Sequence, residues 1–427
     1  MILFVFYIAI LDIIAYNRAE TEGESDMKIL KIQACGLKLF GNELNIDFYA
    51  KQRVIADKND MLTKVFSNIY TNNVISMVGV NASGKTVTLK TISFVMHMLC
   101  NDPINKIEYS DILDDLNEDG EVVFNVYFVA NDRKLSKLRT VIRKKPYESD
   151  LKKEYSTKYY ISDEKIWSKP FSSIRSKNDL FDFANIEPSI HRNNDEPYLL
   201  EDISLIIALN KKLNEKFAFI DTMDITDINR LRIIGNFPTS LIQFLDPSIE
   251  YLECDYIDKN EKKIEAKLKF YGKDEIISHS PAEICKYLSS GTIKGINIFT
   301  TALFILKEGG YIIVDELENH FNKEIASTLI RFFLDSNVNT SGAVLIFSTH
   351  YVELLDIFER NDNILITKNI NGIIVENLAN LLKRNDTKKS ELFQSGYLEN
   401  TTPSYEAYIS LKRAIMQMSI NCEVKNG

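Results

Sequence analysis

A glycine-rich octapeptide, Gly79–Thr86, has residue types and spacing suited to binding phosphate. It follows an apolar run, Val74–Val78, and precedes apolar residues at helical spacing, so we expect it to link a buried strand to a helix. In such a loop, backbone N–H groups and the helix N-terminus attract phosphate oxygens. Lys85 would reach the β- and γ-phosphates, and the Thr86 hydroxyl would ligate Mg²⁺. The predicted phosphate-binding residues are Gly79, Asn81, Ser83, Gly84, Lys85 and Thr86.

Two acidic residues, Asp315 and Glu316, follow a second apolar strand pattern, Tyr311–Val314. Such a pair is by itself typical of a solvated strand end. Together with an upstream phosphate-binding loop, it indicates a metal ligand next to a group that activates water. We therefore expect Asp315 and Thr86 to hold Mg²⁺, and Glu316 to orient or deprotonate the attacking water.

A serine–glycine turn within Leu288–Thr292 precedes a predicted helix, 293–307, that leads into the acidic strand. Serine is favoured at helix N-caps, so an ordinary cap is one interpretation. A helix N-terminus also attracts anions, and the position of this turn favours that second interpretation. The residues expected to contact phosphate there are Ser289, Ser290 and Gly291.

In this order, the three segments resemble the ATP-binding-cassette (ABC) superfamily, whose LSGGQ-like signature loop occupies the place of LSSGT. The family also has a histidine that contacts the γ-phosphate, and His350 matches it at the end of the next predicted strand, 343–347. A lone histidine is more often structural. The resemblance implies ATP and Mg²⁺ as ligands and Glu316 and His350 as catalytic residues. It also implies an ATP-dependent head-to-tail homodimer that encloses ATP between the phosphate loop and the signature of two copies.

Within that superfamily the sequence is similar to the RecF/SMC-like branch. Residues 30–48 resemble its first two strands, and a long segment separates the phosphate loop from the signature. Leu317–Phe321 resembles the DE-x-x-LHP element, with His320 in place. The pattern after residue 287 is closest to prokaryotic AAA-type abortive-infection ATPases of the RloA and overcoming-lysogenization-defect kind.

Three departures from that pattern change what is expected. No glutamine lies between Thr86 and Gln243, so the family's lobe-linking glutamine has no evident counterpart. The closing motif is reduced to GYLENTTPS (396–404), and no TOPRIM-type nuclease domain is expected to follow. We therefore expect any killing activity to belong to another chain.

The fold must bring these separate segments together. Strands are expected at 251–258 and 263–271. In the last third, helices at 293–307, 323–334 and 352–359 alternate with strands at 311–314 and 343–347, which predicts a parallel sheet with helices on both faces. A hairpin that turns at Asn371–Gly372 and a final helix at 404–418 are expected to close the chain. We expect an α/β fold: a P-loop NTPase head of the ABC type, with a mixed sheet covered by helices. A β-meander at 121–168 and mostly helical residues at 170–250 would form an inserted lobe. The predicted organisation is a leader (1–26), an ATPase core (27–100 and 280–380), the insert (101–279) and a C-terminal helical extension (381–427).

Composition places the chain among ordinary globular proteins, with 45% hydrophobic and 26% charged residues and a net charge of -9. No global basic field therefore attracts nucleic acid or acidic lipid. Residues 1–16 are apolar except for Asp12. This segment is shorter than a membrane-spanning helix requires. We expect Met27 to open the folded domain of a cytoplasmic protein. The leader would then be an over-extended reading frame or a packed amphipathic helix, with a membrane anchor as a further alternative. The five cysteines form no CxxC pair, which argues against a zinc site: Cys35, Cys100, Cys254, Cys285 and Cys422.

Two charged segments have alternative interpretations. Residues 133–153 are rich in lysine and arginine and could contact nucleic-acid phosphates, or could form a solvated strand edge. Asp221, Asp224 and Asp227 could share a helical face as a second metal site, although acids at that spacing are usually only solvated.

The resemblance implies an ATPase that controls a partner effector, encoded nearby, in anti-phage defence. The alternatives are a DNA repair or chromosome-maintenance ATPase, a transporter ATPase, and a nucleotide-binding scaffold that barely hydrolyses ATP. The long insert and the missing glutamine disfavour the transporter.

Overall fold

The computed structural model describes residues 27–55, 61–148, 155–192, 199–223, 230–231, 235–258, 263–319, 321–395, 406 and 408–415. Its strands are β1 (Lys28–Cys35), β2 (Leu44–Asp47), β3 (Leu62–Phe66), β4 (Ile69–Asn72), β5 (Val74–Val78), β6 (Val122–Val129), β7 (Lys134–Glu148), β8 (Tyr155–Pro170), β9 (Ile190–His191), β10 (Phe219–Asp221), β11 (Gly235–Asn236), β12 (Ile249–Asp258), β13 (Lys263–Phe270), β14 (Ile276–Ser278), β15 (Tyr311–Val314), β16 (Val344–Thr349), β17 (Ile364–Asn369) and β18 (Ile373–Asn377). Its α-helices are α1 (Lys85–Leu99), α2 (Ile206–Leu213), α3 (Thr239–Leu245), α4 (Pro281–Ile284), α5 (Ser290–Glu308), α6 (Lys323–Leu334), α7 (Leu378–Leu381) and α8 (Lys389–Gln394).

A six-stranded sheet in the order β10-β15-β16-β5-β17-β18 positions the candidate site. Strands β10, β15, β16, β5 and β17 run parallel, and β18 pairs antiparallel with β17. Every residue of β5, β15 and β16 is buried, as expected when helices cover both faces of a parallel sheet. The predicted α/β fold with a mixed sheet is confirmed.

Side chains that alternate along the central strands pack against helices on opposite faces of the sheet. Ile75 and Met77 of β5 share a buried cluster with α1, whereas Val74 and Val78 share another with α5 and α6. The sequence predicted α6 at 323–334 and α5 at 293–307, and α5 begins three residues earlier, at Ser290. Covered faces of this kind fix the strand ends that carry the polar residues.

A second, antiparallel sheet has the order β2-β1-β6-β7-β8-β9. Strands β6 to β8 are the predicted meander, and β6 pairs directly with β1. Strand β10 likewise leaves the predicted insert, 101–279, and pairs with β15 of the central sheet. Strand pairing therefore crosses the boundaries proposed for the insert, and the division into core and insert stays a prediction.

The prediction that residues 170–250 are mostly helical is wrong. Among the described residues of this segment, the α-helices are α2 and α3, and the remainder includes strands β9 to β11 and short 3₁₀ turns. Helix α2 begins only at Ile206, and just before it the buried Glu164 carboxylate accepts hydrogen bonds from Ser204 Oγ and Leu205 N. Asn214, with φ of 51°, ends α2.

The remaining strand predictions match the structure closely. Strands β12 and β13 occupy the predicted segments and join a four-stranded sheet, β11-β12-β13-β14. The hairpin β17–β18 turns at Asn371 and Gly372, which have positive φ angles of 56° and 120°. The predicted helix at 352–359 is instead a 3₁₀ turn, Val352–Ile357.

Much of the N-terminal and C-terminal segments lies outside the described residues. Residues 406 and 408–415 are helical, within the final helix predicted at 404–418, whose other residues lie outside the described ranges. The predicted leader, 1–26, also lies outside them. Within the described ranges, no helix combines the length and hydropathy that a membrane span needs.

Candidate active site

The phosphate loop (Gly79–Thr86) and the acidic pair meet at the carboxyl edge of the central sheet. Strand β5 leads into the loop and β15 into Asp315, and both are neighbours of β16. The Thr86 hydroxyl donates a 2.7 Å hydrogen bond to Asp315 Oδ2. The two side chains that the sequence assigned to Mg²⁺ are thus in direct contact, although they are far apart along the chain.

The phosphate loop is held in shape from β17 and its hairpin. Ser83 Oγ lies 2.7 Å from Thr367 Oγ1, and Asn369 Nδ2 donates to the Ala82 carbonyl at 3.3 Å. Gly84 has a φ of 100°, and a Cβ atom there would lie 2.6 Å from side-chain carbons of Ile373. Both the backbone angle and this close approach require glycine at position 84.

Lys85 is buried, and its ammonium group is hydrogen-bonded to two backbone carbonyls of the phosphate loop. Its Nζ donates to Gly79 O at 2.9 Å and to Val80 O at 3.2 Å. Burial lowers the pKa of Lys85, and the nearby carboxylates of Asp315, Glu316 and Glu318 act in the opposite direction. A phosphate that replaced the two carbonyls would supply the full counter-charge that this ammonium group lacks.

Ser348, at the end of β16, connects Asp315 to the backbone of Glu316. Its fully buried hydroxyl donates to Asp315 Oδ1 and accepts from Glu316 N at 2.8 Å. The Ser348 carbonyl also accepts a 3.0 Å bond from Leu317 N. These bonds hold Glu316 at a φ of 46°, in the left-handed region that non-glycine residues seldom adopt. We refer to residues 315–318 as the acidic turn.

Ser348 is not among the site residues predicted from the sequence, although it lies two residues before the predicted His350. A hydroxyl on a buried strand that ends opposite an acidic pair was the available signal. His350 Nε2 lies 3.8 Å from Glu316 Oε1, and both side chains are partly exposed. The His350 backbone N–H donates to Oε1 of the buried Glu318. The predicted catalytic pair therefore lies together, on two strand ends tied to each other by hydrogen bonds.

The serine–glycine turn caps α5 and stays accessible. Ser289 is the N-cap residue, and its Oγ accepts a 3.0 Å bond from Thr292 N and lies 2.8 Å from Thr292 Oγ1. Ser289 and Ser290 are exposed, and Gly291 is half-buried. One turn further along α5, Lys294 Nζ lies 3.4 Å from the Glu316 carbonyl. The start of α5 thus contacts the acidic turn of its own chain, while its serines face outwards.

The oxygen atoms of Thr86 and Asp315 suit Mg²⁺. This ion prefers hard oxygen ligands and is usually held by one or two protein side chains together with substrate phosphates and water. One hydroxyl and one carboxylate oxygen, 2.7 Å apart beside the phosphate loop, provide that set. Asp315 would be held in place from behind by Ser348.

Other predicted residues contribute less, or lie outside the described ranges. His320, Asp224 and Asp227 belong to the second group. Asp221 accepts hydrogen bonds from Ser93 Oγ and from Met223 N, which gives it a structural role at the end of β10. Asn81 is exposed at the tip of the phosphate loop.

The basic segment 133–153 is described up to residue 148, and much of its charge is paired. Arg139 contacts Asp163 at 3.0 Å, Arg143 contacts Glu121 at 2.8 Å, and Lys145 contacts Glu201 at 2.6 Å. Such ion pairs are typical of a solvated sheet surface. They leave less positive charge for nucleic-acid phosphates than the sequence suggested.

A comparison with known protein families identifies the family to which the chain belongs. Residues 74–356 match a protein-family model described as "AAA domain, putative AbiEii toxin, Type IV TA system". The chain belongs to this family. The matched range contains the phosphate loop, the serine–glycine turn, the acidic turn and His350. The hairpin residues that support the phosphate loop, Thr367, Asn369 and Ile373, lie beyond it. The protein is an ATP-binding ATPase with a P-loop fold.

Two solved structures of the recombination mediator protein RecF in the RecFOR pathway, one described as RecF-ATPrS and one as RecF-ATP, are similar to the chain at 9% sequence identity. Each likeness covers 84% of this chain and 100% of the RecF chain, with TM-scores of 0.37 and 0.38. At this identity and TM-score, neither likeness bears on what this AAA-domain protein does. No protein with a curated description matches the sequence.

Proposed function

We propose that this ATPase forms an ATP-gated head-to-tail homodimer that controls a partner effector protein in anti-phage, abortive-infection defence. The family's description names an AbiEii toxin and a type IV toxin–antitoxin system, which supports a defence context. The partner would be a separate protein encoded nearby.

The observation that carries the dimer is the accessible start of α5. The hydroxyl of its capping residue Ser289 accepts a hydrogen bond from Thr292 N of the same helix. Ser289 and Ser290 are exposed. A capped helix N-terminus with exposed serines is suited to bind the phosphates of a nucleotide held elsewhere. In the proposed dimer, that nucleotide lies in the phosphate loop of the second copy.

Within each copy, we assign the chemistry to residues of the strand ends. Lys85 binds the phosphates, Glu316 orients or deprotonates the attacking water, and His350 contacts the γ-phosphate. Mg²⁺ held by Thr86 and Asp315 would neutralise phosphate charge. Glu316 has a left-handed backbone conformation, and the direction in which its side chain leaves the turn depends on that conformation. The Ser348 hydroxyl and carbonyl hold it by accepting hydrogen bonds from Glu316 N and Leu317 N.

A pair of substitutions tests the dimer. Glu316→Gln removes water activation but keeps Lys85, Thr86 and Asp315, so it should bind ATP, hydrolyse it poorly and remain dimeric. Adding Ser289→Arg places a long cation at the exposed start of α5 and should block closure. Multi-angle light scattering with and without ATP measures the mass of each variant.

The matched controls are Glu324→Gln and Ser336→Arg, two exposed positions on α6 and on the turn after it. Both should behave as the unmodified protein. A Glu316→Gln mass that does not rise with ATP, or that rises equally with Ser289→Arg present, contradicts the dimer. Co-purification with the product of a neighbouring reading frame, dependent on ATP, tests the effector separately.

A DNA-repair role receives less support from the described residues. Arg139, Arg143 and Lys145 of the basic segment each have an acidic partner, which reduces the positive charge available there to nucleic-acid phosphates. We therefore retain defence as the proposed function.

A further inference from the structure

Glu318 is a buried acid in the acidic turn with no role in the chemistry assigned above. Its side chain is 8% exposed, and its Oε1 accepts the hydrogen bond of the His350 backbone N–H. Its other oxygen, Oε2, is buried and has no hydrogen-bond partner among the described residues. Leaving a buried carboxylate oxygen without a hydrogen-bond partner destabilises a fold. The interaction that the structure shows for the Glu318 carboxylate is the one with the His350 backbone N–H.

The hydrogen bond that Glu318 accepts comes from His350, a residue whose side-chain orientation matters for its proposed contact with the γ-phosphate. The His350 side chain is 35% exposed, and the contact seen for its ring is Glu316 Oε1 at 3.8 Å. Since the ring is partly exposed, where it points depends on how the His350 backbone is held. A carboxylate fixes that backbone more firmly than a neutral acceptor would, because hydrogen bonds to charged groups are roughly twice as strong.

The turn that carries Glu318 is itself rigid. Asn319 N donates to Glu316 O at 2.8 Å, and Phe321 N donates to Glu318 O at 2.9 Å. Leu317 N is bound by the Ser348 carbonyl. The acidic turn and the end of β16 are therefore joined at two points, Ser348 on one side and Glu318 on the other. The first point fixes Asp315 and Glu316, and the second fixes His350.

We propose that Glu318 is a positioning residue that holds the His350 backbone so that the imidazole faces Glu316 and the phosphate undergoing hydrolysis. The inference rests on the proposed role of His350. It concerns geometry alone, because Glu318 contacts the histidine backbone and is assigned no contact with nucleotide.

Three substitutions of Glu318 separate positioning from bulk stability. Glu318→Ala removes the acceptor and should lower kcat about 30-fold, with KM for ATP and the calorimetric affinity for ATP within about threefold. Glu318→Gln keeps an acceptor oxygen at the same reach and should retain a kcat at least tenfold above that of alanine. Glu318→Asp keeps the charge but withdraws it by one methylene, and should resemble alanine. The matched control is Glu308→Ala, another glutamate that is 8% exposed, at the far end of α5.

A double-mutant cycle with His350→Ala decides the question. In that background, Glu318→Ala should lower kcat by less than about threefold, because the side chain it positions is already gone. A further loss of tenfold or more would show that Glu318 acts independently of His350 and would overturn the inference. Unchanged kcat in folded Glu318→Ala, while His350→Ala is impaired, overturns it without affecting the proposed function. If His350→Ala itself keeps full kcat, the proposed role of His350 and this inference both fail. Should the alanine variant not fold, the order of glutamine above aspartate decides.

Discussion

Replacing Ser348 with alanine removes one buried hydroxyl that two residues of the acidic turn share. The hydroxyl donates to the Asp315 carboxylate and accepts from Glu316 N. A hydrogen bond to a charged group contributes about 1.5–3 kcal/mol. Glu316 N keeps one alternative acceptor, Asp315 Oδ1 at 3.2 Å, so the larger loss falls on the orientation of Asp315.

The expected effect is a weaker hold on the proposed magnesium ion. If about 1.5 kcal/mol of the lost bond is transmitted to the ion, the Mg²⁺ concentration for half-maximal ATPase activity rises about tenfold, since 1.4 kcal/mol corresponds to a factor of ten. Full transmission would raise it about 100-fold. A Mg²⁺ titration of ATPase rate at fixed ATP measures this, and kcat at saturating Mg²⁺ should also fall because Glu316 loses a constraint.

The control is Ser76→Ala on the neighbouring strand β5. Ser76 is equally buried, and its hydroxyl donates to a backbone carbonyl, Asn363 O, at 3.2 Å. It therefore measures the general effect of deleting a buried serine hydroxyl from this sheet. A Ser348→Ala titration that coincides with that of Ser76→Ala would refute the argument that Ser348 orients Asp315.

Two further substitutions test the phosphate loop. Lys85→Ala should abolish detectable ATP binding in calorimetry while the protein stays folded, because Lys85 is the ammonium group buried within the loop; unchanged affinity would remove the assignment of the loop. Gly84→Ala should weaken ATP binding at least tenfold, because a φ of 100° is strained by about 1–2 kcal/mol for any residue with a Cβ and because that atom would contact Ile373; calorimetric affinity within twofold of the unmodified protein would show that the loop adapts.

The residues that would bind phosphate and metal could be predicted from the sequence. The residues that hold those side chains in place could not. The loop Gly79–Thr86 and the Asp315–Glu316 pair stood out because phosphate and metal binding restrict both residue type and spacing. Ser348 and Glu318 are fixed by contacts between strands far apart in the chain. A serine on a buried strand and a glutamate in a polar turn have no spacing that marks them.

The same distinction explains the one large error in the fold. Residues 170–250 are predicted to be mostly helical, yet Glu164 binds Ser204 and Leu205 to the antiparallel sheet, and β10 pairs with β15. Both interactions are non-local, and they override the local preference for helix. Where packing was local, as in α6 and the β17–β18 hairpin, the predicted positions agree with the structure.

The order of strands in the central sheet also bears on how the protein is made. Strand β5 is flanked on one side by β16 and on the other by β17, both of which are synthesised much later. At about 5–20 residues per second, a ribosome takes roughly 13–53 s to make the chain between β5 and β16. Until then Val74–Val78, every residue of which is buried in the finished sheet, has neither neighbour. The nascent protein therefore carries an unpaired apolar strand for most of its synthesis, and a chain that stops before β16 would expose both edges of it to aggregation.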